Sequence, residues 1–272
     1  MTRTVADWLA QARVMGVDRL DAQLILAHAL AQSRSWVIAH DDALLDATRI
    51  DTVRTALGRR AAGEPLAYLL GEKEFHGLRL HVDANVLVPR PDTEVLVDWA
   101  LELLAGMEAG RVVDLGTGSG AIALAVKHGC TAATVLATDI SPAALDVARA
   151  NAQRLALDVA FASSSWWSTL AGQRFDLILS NPPYIAGGDP HLAALHHEPA
   201  LALTPGGDGL GALREIVAGA TPHMTPSAWL LLEHGYDQAD AVQALLRDHG
   251  FEGVATRRDL AGQPRCTGAR RV

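Results

Sequence analysis

Cysteine is nearly absent from this chain: Cys130 and Cys266 are the only two. Two thiols are too few for a disulfide framework or a thiolate zinc site, which points to a reducing, cytoplasmic setting. Long apolar runs are missing as well. No uninterrupted stretch approaches the ~20 residues needed to cross a bilayer. The opening "MTRTVADWLAQARVMG" carries charges where a signal peptide keeps an apolar core, so neither membrane insertion nor export is expected. An excess of positive charge is lacking too: 23 Lys and Arg against 31 Asp and Glu leave a net charge of -8. That balance disfavours a surface built to neutralise long stretches of nucleic-acid backbone, while leaving room for a local basic patch. What the chain has in quantity is apolar side chain, 49% of its 272 residues. This is enough for a sizeable core and for more than one domain.

Residues 1–73 read as a helical domain. In "DRLDAQLILAHALAQS", Leu20, Leu24, Ala27 and Ala31 recur at three- and four-residue spacing behind Asp18, a capping residue, and predict one buried helix face. A second amphipathic helix is expected from Asp51, with Val53, Ala56 and Leu57 inward, ending near Gly63 ahead of Pro65. The stretch "EFHGLRLHVDANVLV" then alternates in short pieces and predicts a hairpin linker over 74–88. From 89 to 272 the strand-like "RVVDL", "TVLATD", "DVAF", "FDLILS" and "AWLLLE" alternate with helical or long connections. This is the pattern of an α/β, doubly wound, mostly parallel sheet with helices on both faces. The basic tail "RRDLAGQPRCTGARRV" reads as a solvated edge.

Three local motifs carry chemistry. In "VVDLGTGSGAIALA" a strand ends at Asp114, Gly116, Gly118 and Gly120 alternate with Thr117 and Ser119, and a helix follows. Such glycines let a backbone turn sharply and approach a ligand closely. The G-x-G-x-G spacing departs from the dinucleotide fingerprint and suits a nucleoside with a small tail. Asp139 ends the next strand, where a carboxylate can accept from both hydroxyls of a ribose; capping the helix that opens at "SPAALDVARANA" is the other reading. In "SNPPYIAG" two prolines make a rigid loop after a strand. There the Asn181 side-chain oxygen and the Pro182 carbonyl can accept from both N–H bonds of a planar amino group, with Pro183 stiffening the corner and Tyr184 able to stack on the flat group. A plain turn is the alternative for that loop taken alone. Glycine loop, acid and N-P-P-Y, each after its own strand and in that order, are far more specific together than apart.

At this point the chain resembles the class I S-adenosylmethionine-dependent methyltransferases. Within them it resembles the protein-(glutamine-N5) methyltransferases that modify the Gly-Gly-Gln glutamine of peptide chain release factors. The closer likeness rests on "GEPLAYLLGEKEF", "VLVPRPDTE", "DLGTGSGAIALA", "SNPPYI", "LLLEHGYDQ" and "RDLAGQPR", which together run from residue 63 almost to the end. The resemblance implies that Gly116, Thr117, Gly118, Ser119 and Gly120 wrap the methionine part of S-adenosylmethionine. Asp139 would hold its ribose, and Trp166 would lie near the adenine. Asn181, Pro182, Pro183 and Tyr184 would bind the substrate glutamine, with Asn181, Pro182 and Tyr184 catalytic and Asn181 also beside the cofactor. The product would be S-adenosylhomocysteine, the partner a class 1 release factor recognised by the N-terminal helices, and the enzyme a monomer without metal or stable nucleic-acid binding. Arg90 and Glu94 fall in a family motif near the cofactor.

The chain departs from the family pattern in two places. Ser165 stands where an acidic residue often precedes Trp166, and His196, His197, Glu198 and Pro199 stand where Arg-Phe-Glu-Pro is common. Of the neighbours Trp166 and Trp167, opposite facing along an extended segment predicts that one meets ligand and the other the core. Adjacent His196 and His197 read as loop residues. Two alternatives stay open at this level: an exocyclic-amine nucleic-acid methyltransferase, which presents the same two N–H bonds to the same loop, and a cofactor-binding protein that uses the loop only as a scaffold.

Overall fold

The computed structural model describes residues 4–271, which divide into one unit ending at Glu72 and another beginning at Lys73. The first unit holds α1 (Val5–Val14), α2 (Arg19–Leu30), α3 (Arg34–Ala39), α4 (Ala47–Ala61) and α5 (Leu66–Leu70). Short polar side chains start the first four. Thr4 forms a capping box with Asp7, and Asp18, Ser33 and Asp46 accept the first free backbone N–H groups of α2, α3 and α4. Trp8, Leu26, Leu45 and Leu57 fill the centre and are almost wholly buried.

Two details differ from the sequence expectation. The buried side of α2 is Ala22, Ile25, Leu26, Ala27 and Leu30, so Ala27 lies inward as expected, whereas Leu20 is 46% exposed and Ala31 is the exposed left-handed C-cap. The helix is apolar at eight of the eleven positions from Leu20 to Leu30, so spacing alone fits two stripes about 100° apart. The stripe that buries the bulkier Ile25, Leu26 and Leu30 prevails. Likewise α4 starts at Ala47 rather than Asp51, because Asp46 caps it through the Arg49 N–H at 2.9 Å.

A hairpin follows, β1 (Glu72–Phe75) and β2 (Leu78–His81), all but Glu72 in the second unit and turned at His76 and Gly77, both with positive φ. Residues 82–90 leave the hairpin as loop. Then come α6 (Glu94–Leu104), β3 (Arg111–Leu115), α7 (Ala121–Gly129), β4 (Thr134–Asp139), α8 (Pro142–Leu155), β5 (Ala160–Ser163) and β6 (Phe175–Ser180). They are followed by α9 (Ala200–Leu203), α10 (Gly211–Ala220), β7 (Met224–Glu233), α11 (Ala239–Asp248), β8 (Glu252–Arg258) and β9 (Pro264–Arg270). The seven-stranded sheet runs β5-β4-β3-β6-β7-β9-β8, parallel from β5 to β7 and antiparallel at β7–β9 and β9–β8. Its two faces bury separate cores: one gathers Leu96, Trp99, Leu124 and Leu177, the other Ile178, Leu213, Ile216 and Leu230.

The basic tail is not a solvated edge. β9 lies between β7 and β8, with Cys266, Thr267 and Ala269 at 0% exposure. Its sequence hides this because arginines at both ends make it look hydrophilic while the middle supplies small side chains. Gly268, opposite Leu231, is where another element comes closest: a Cβ there would stand 2.4 Å from Leu231 Cδ2 and 2.8 Å from the Trp99 ring. Gly268→Ala is therefore expected to destabilise the catalytic unit by ~1–3 kcal/mol through overpacking, read as a lower urea midpoint at unchanged slope.

Candidate active site

Sheet order alone brings the three sequence motifs together. β3 has β4 on one side and β6 on the other, so chain direction across the sheet reverses there, and ligands of open α/β sheets bind at such a point beyond the carboxyl ends of the strands. A cleft of 520 Å³ opens at that edge. Its wall includes Gly116 to Ser119 after β3, Asp139 after β4, Ser165 and Trp166 after β5, and Asn181 and Pro183 after β6. Gly120 stands just behind the wall as the N-cap of α7, where a Cβ would meet Ala148 at 3.2 Å.

The glycine loop is fixed from behind. Gly116 and Thr117 both donate their N–H to the Thr138 carbonyl, and the Thr117 hydroxyl donates to Asp114 at 2.6 Å. Asn151 of α8, fully buried, donates from Nδ2 to the Ser119 and His81 carbonyls, each at 2.9 Å, and so ties the loop to the hairpin. Gly118 has φ +56 and nothing within 4 Å of where its Cβ would stand, a cradle that only glycine fills without strain.

Asp139 carries a buried carboxylate whose Oδ2 accepts from Gly118 N–H and Oδ1 from Ser141 N–H, both at 2.9 Å. The cap of α8 is Ser141, which accepts from Ala144, so Asp139 is left to brace the glycine loop and face the cleft. Burial raises its pKa, and the backbone bonds pull the other way. Trp166 sits at φ +45, a left-handed conformation rare for a bulky side chain, held by the Ser164 hydroxyl on its carbonyl at 2.8 Å. Its ring lies so near Gly116 that a Cβ on that glycine would be 3.3 Å away. Trp167 points elsewhere, stacked on His223 and donating to the Ile216 carbonyl at 3.2 Å. Ser165 is exposed in the cleft wall, and Glu215 of α10 is the only acid besides Asp139 in that wall among the described residues. A flat aromatic wall, an acid with acceptor capacity and an open glycine cradle suit a nucleoside with a short tail, and S-adenosylmethionine fits that description.

Asn181 donates from Nδ2 to the Thr93 hydroxyl at 3.2 Å, and its Oδ1 takes no donor among the described residues. Pro183 lines the cleft, whereas Pro182 is buried and Tyr184 packs its ring on the β7-side core. Tyr184 is tied at both ends: its hydroxyl donates to Glu233 at 3.2 Å and its carbonyl accepts from Gln238 Nε2 at 3.0 Å. Burial beside Glu233 raises the phenol's pKa, so it remains a neutral donor. Of the residues shared with the family motif, Arg90 lines the cleft and pairs with Glu198, which also accepts from Val88 N–H at 3.0 Å. Glu94 instead accepts from His76 N–H at 3.0 Å and holds the hairpin turn. His196 and His197 lie with ring centroids 4.1 Å apart, and among the described residues no His, Cys, Asp and Glu group is arranged to hold a metal ion.

Behind the loop, Asp114 is fully buried and its Oδ1 has no hydrogen-bond partner. Burial raises its pKa from 3.8 to about 7, with the Thr117 hydroxyl opposing. A raised carboxyl pKa supports the fold in the acid form and withdraws that support as pH climbs through the folded value. Comparing urea unfolding at about pH 5 and about pH 8, Asp114→Asn should gain stability relative to the parent as pH rises; a difference independent of pH contradicts this.

Comparison with known proteins agrees with the geometry. Residues 93–217 match the family model Methyltransferase small domain, and residues 3–71 match PrmC N-terminal domain. The hMettl16 catalytic domain superposes with a TM-score of 0.58 at 18% identity, covering 79% of this chain and 81% of that one. A 16S rRNA methyltransferase of T. Thermophilus superposes at 0.56 and 21% identity, covering 74% of this chain and 50% of that one. At such identities the likeness is one of fold, and fold and cleft together define a class I methyltransferase. Release factor glutamine methyltransferase of Bordetella pertussis is 50% identical over 256 residues, covering 93% of this chain and 95% of the relative. The enzymes of the same name from Xylella fastidiosa and Salmonella typhimurium are 47% and 41% identical, covering 95% and 96% of both chains. The chain belongs to the release factor glutamine methyltransferase family.

Proposed function

We propose that this protein transfers a methyl group from S-adenosylmethionine to the side-chain amide nitrogen of the Gly-Gly-Gln glutamine in class 1 peptide chain release factors. The observation that carries the reading is the orientation of Asn181. Its Nδ2 donates one N–H to Thr93, which leaves its oxygen, without a donor among the described residues, as the acceptor available to the cleft shared with Asp139 and the glycine loop. A carboxamide nitrogen is a poor nucleophile because its lone pair is delocalised. Asn181 Oδ1 and the Pro182 carbonyl accept from its two N–H bonds, aim the nitrogen, and stabilise the positive charge that grows on it. The prolines keep that carbonyl from turning away. Gly116 to Ser119, Asp139 and Trp166 would hold the cofactor, which when bound would supply an electrophilic methyl on a sulfonium that leaves as a neutral thioether, while the methylated nitrogen would release one proton to solvent.

The helical unit is assigned to recognition of the folded release factor, with the enzyme acting in the cytoplasm as a monomer and without stable nucleic-acid contact. The net charge of -8 supports the last point. No helix among the described residues is long and apolar enough to cross a membrane. Incubation with labelled cofactor and a release factor should label the factor, and replacement of its Gly-Gly-Gln glutamine should abolish the signal. Equal labelling of both factors, or label entering duplex DNA instead, defeats the reading.

A further inference from the structure

The exposed apolar side chains of the catalytic unit gather at one edge of its sheet. Among the described residues from Lys73 onward, the large apolar side chains left exposed are Ile140, Leu201, Tyr236 and Leu260. Single exposures of this kind are ordinary on any surface, but here all of them fall on the side where β3, β4 and β6 end. Ile140 and Leu201 line the cofactor cleft. Tyr236 follows β7, and Leu260 sits in the turn from β8 to β9. Since β7 and β8 are both antiparallel to β9, they run the same way and that turn shares the edge. Neither Tyr236 nor Leu260 belongs to the cleft wall, so a nucleoside bound there leaves both in water.

Both side chains are rigidly mounted. Asp259 N–H donates to the Gln263 carbonyl and Gly262 N–H to the Asp259 carbonyl, each at 2.9 Å. Asp259 Oδ1 accepts from Gln263 N–H at 2.9 Å, and Arg258 reaches the Gly262 carbonyl at 2.8 Å. From this closed turn Leu260 projects with 105% exposure and so adds no packing to its own fold. Tyr236, 61% exposed, stands in a second closed turn, where Gly235 N–H donates to Gln238 Oε1 at 2.9 Å and Gln238 N–H to the Gly235 carbonyl at 3.0 Å. The same Gln238 donates from Nε2 to the Tyr184 carbonyl at 3.0 Å, which bolts this turn to the loop of Asn181. His234 N–H, donated to the Arg265 carbonyl at 3.0 Å, joins the two turns.

We infer that Tyr236 and Leu260 form a docking point for the folded release factor, filling an apolar depression beside the loop that carries its glutamine. The inference rests on the glutamine-binding role of the Asn181 corner given above and adds a protein-binding surface to it. In sheet order β6, which ends at Asn181, stands between the strands that carry the cofactor residues, β3 to β5, and the strands that carry this pair, β7 and β8. A glutamine delivered on a folded protein reaches that corner only if its flanks cover the adjoining rim, and on the β7 side the rim is these two residues. Apolar groups already held still by their turns lose little freedom on docking and gain by shedding water, and tyrosine is among the residues enriched where proteins meet.

The test uses the full chain, S-adenosylmethionine and a whole release factor, with initial rates followed against factor concentration. Leu260→Asp and Tyr236→Ser should each raise KM for the factor about 10-fold, and together about 100-fold, with kcat and the Kd for S-adenosylhomocysteine unchanged. Leu260→Met, which keeps the apolar bulk, should retain the parental KM. Melting temperatures should match the parent, because neither side chain is buried; if Leu260→Asp unsettles its turn, Leu260→Ser carries the test with the same expected rise. A parental KM in the double variant overturns the inference, as does a loss confined to kcat. A parent that sediments as a dimer which Leu260→Asp splits assigns the surface to a second copy of this chain and overturns it as well. Should the parent place no methyl on glutamine, the proposed function fails first, a result distinct from methylation at unchanged KM.

Discussion

Replacing Asn181 by alanine is expected to lower kcat for release-factor methylation by about 10²–10³-fold, the usual cost of removing one preorganised acceptor or donor from a site of developing charge. The side chain lies in the cleft wall with its NH2 held by Thr93, so its removal takes the substrate's acceptor and leaves the backbone of the loop in place. That loop is anchored independently: Ile185 N–H donates to the Leu203 carbonyl at 3.0 Å, and Gln238 grips the Tyr184 carbonyl. Folding should accordingly change little. Single-turnover kinetics with saturating cofactor reads the effect, and a loss confined to KM would place Asn181 in simple binding rather than in orientation of the nitrogen.

The second large effect falls on the cofactor. Both oxygens of Asp139 accept backbone N–H bonds, from Gly118 and from Ser141. Asn at this position offers one oxygen and one NH2, so either Gly118 or Ser141 meets a donor with its own donor. The glycine loop then loosens at the residue where the cradle is open, and the negative charge available to a ribose diol is gone. Loss of charged hydrogen bonds of this kind predicts Asp139→Asn to weaken S-adenosylmethionine binding about 10- to 100-fold. Calorimetry on the purified variant measures it, and an unchanged Kd removes Asp139 from the cofactor site.

What the sequence made legible was local. A strand followed by alternating glycines, an acid at a strand end and a proline-stiffened asparagine are each written in a few adjacent residues, and sheet order does the rest by setting β4, β3 and β6 side by side. The supports of those residues were not legible as contacts, because they come from far along the chain. Thr93 reaches Asn181 across 88 positions, Glu233 reaches Tyr184 across 49 and Gln238 across 54. A signal existed, since Thr93 lies in "VLVPRPDTE" and Glu233 and Gln238 in "LLLEHGYDQ", but a motif names a residue without naming its partner. Glu198 shows the same gap: the histidines before it draw the eye, while the buried carboxylate holding Val88 and Arg90 is the functional support. β9 is hidden in the sequence for a different reason. A strand of small residues between arginines has no apolar alternation, and its burial is dictated by Leu231 and Trp99 on neighbouring elements.

The account turns on which end of the Asn181 amide meets the substrate. A crystal structure of the enzyme with S-adenosylhomocysteine and a release-factor fragment bearing the Gly-Gly-Gln glutamine measures that directly. The glutamine nitrogen should lie within hydrogen-bond reach of both Asn181 Oδ1 and the Pro182 carbonyl, facing the sulfur. A glutamine bound elsewhere, or an Asn181 whose oxygen has turned to Thr93 in that complex, contradicts it.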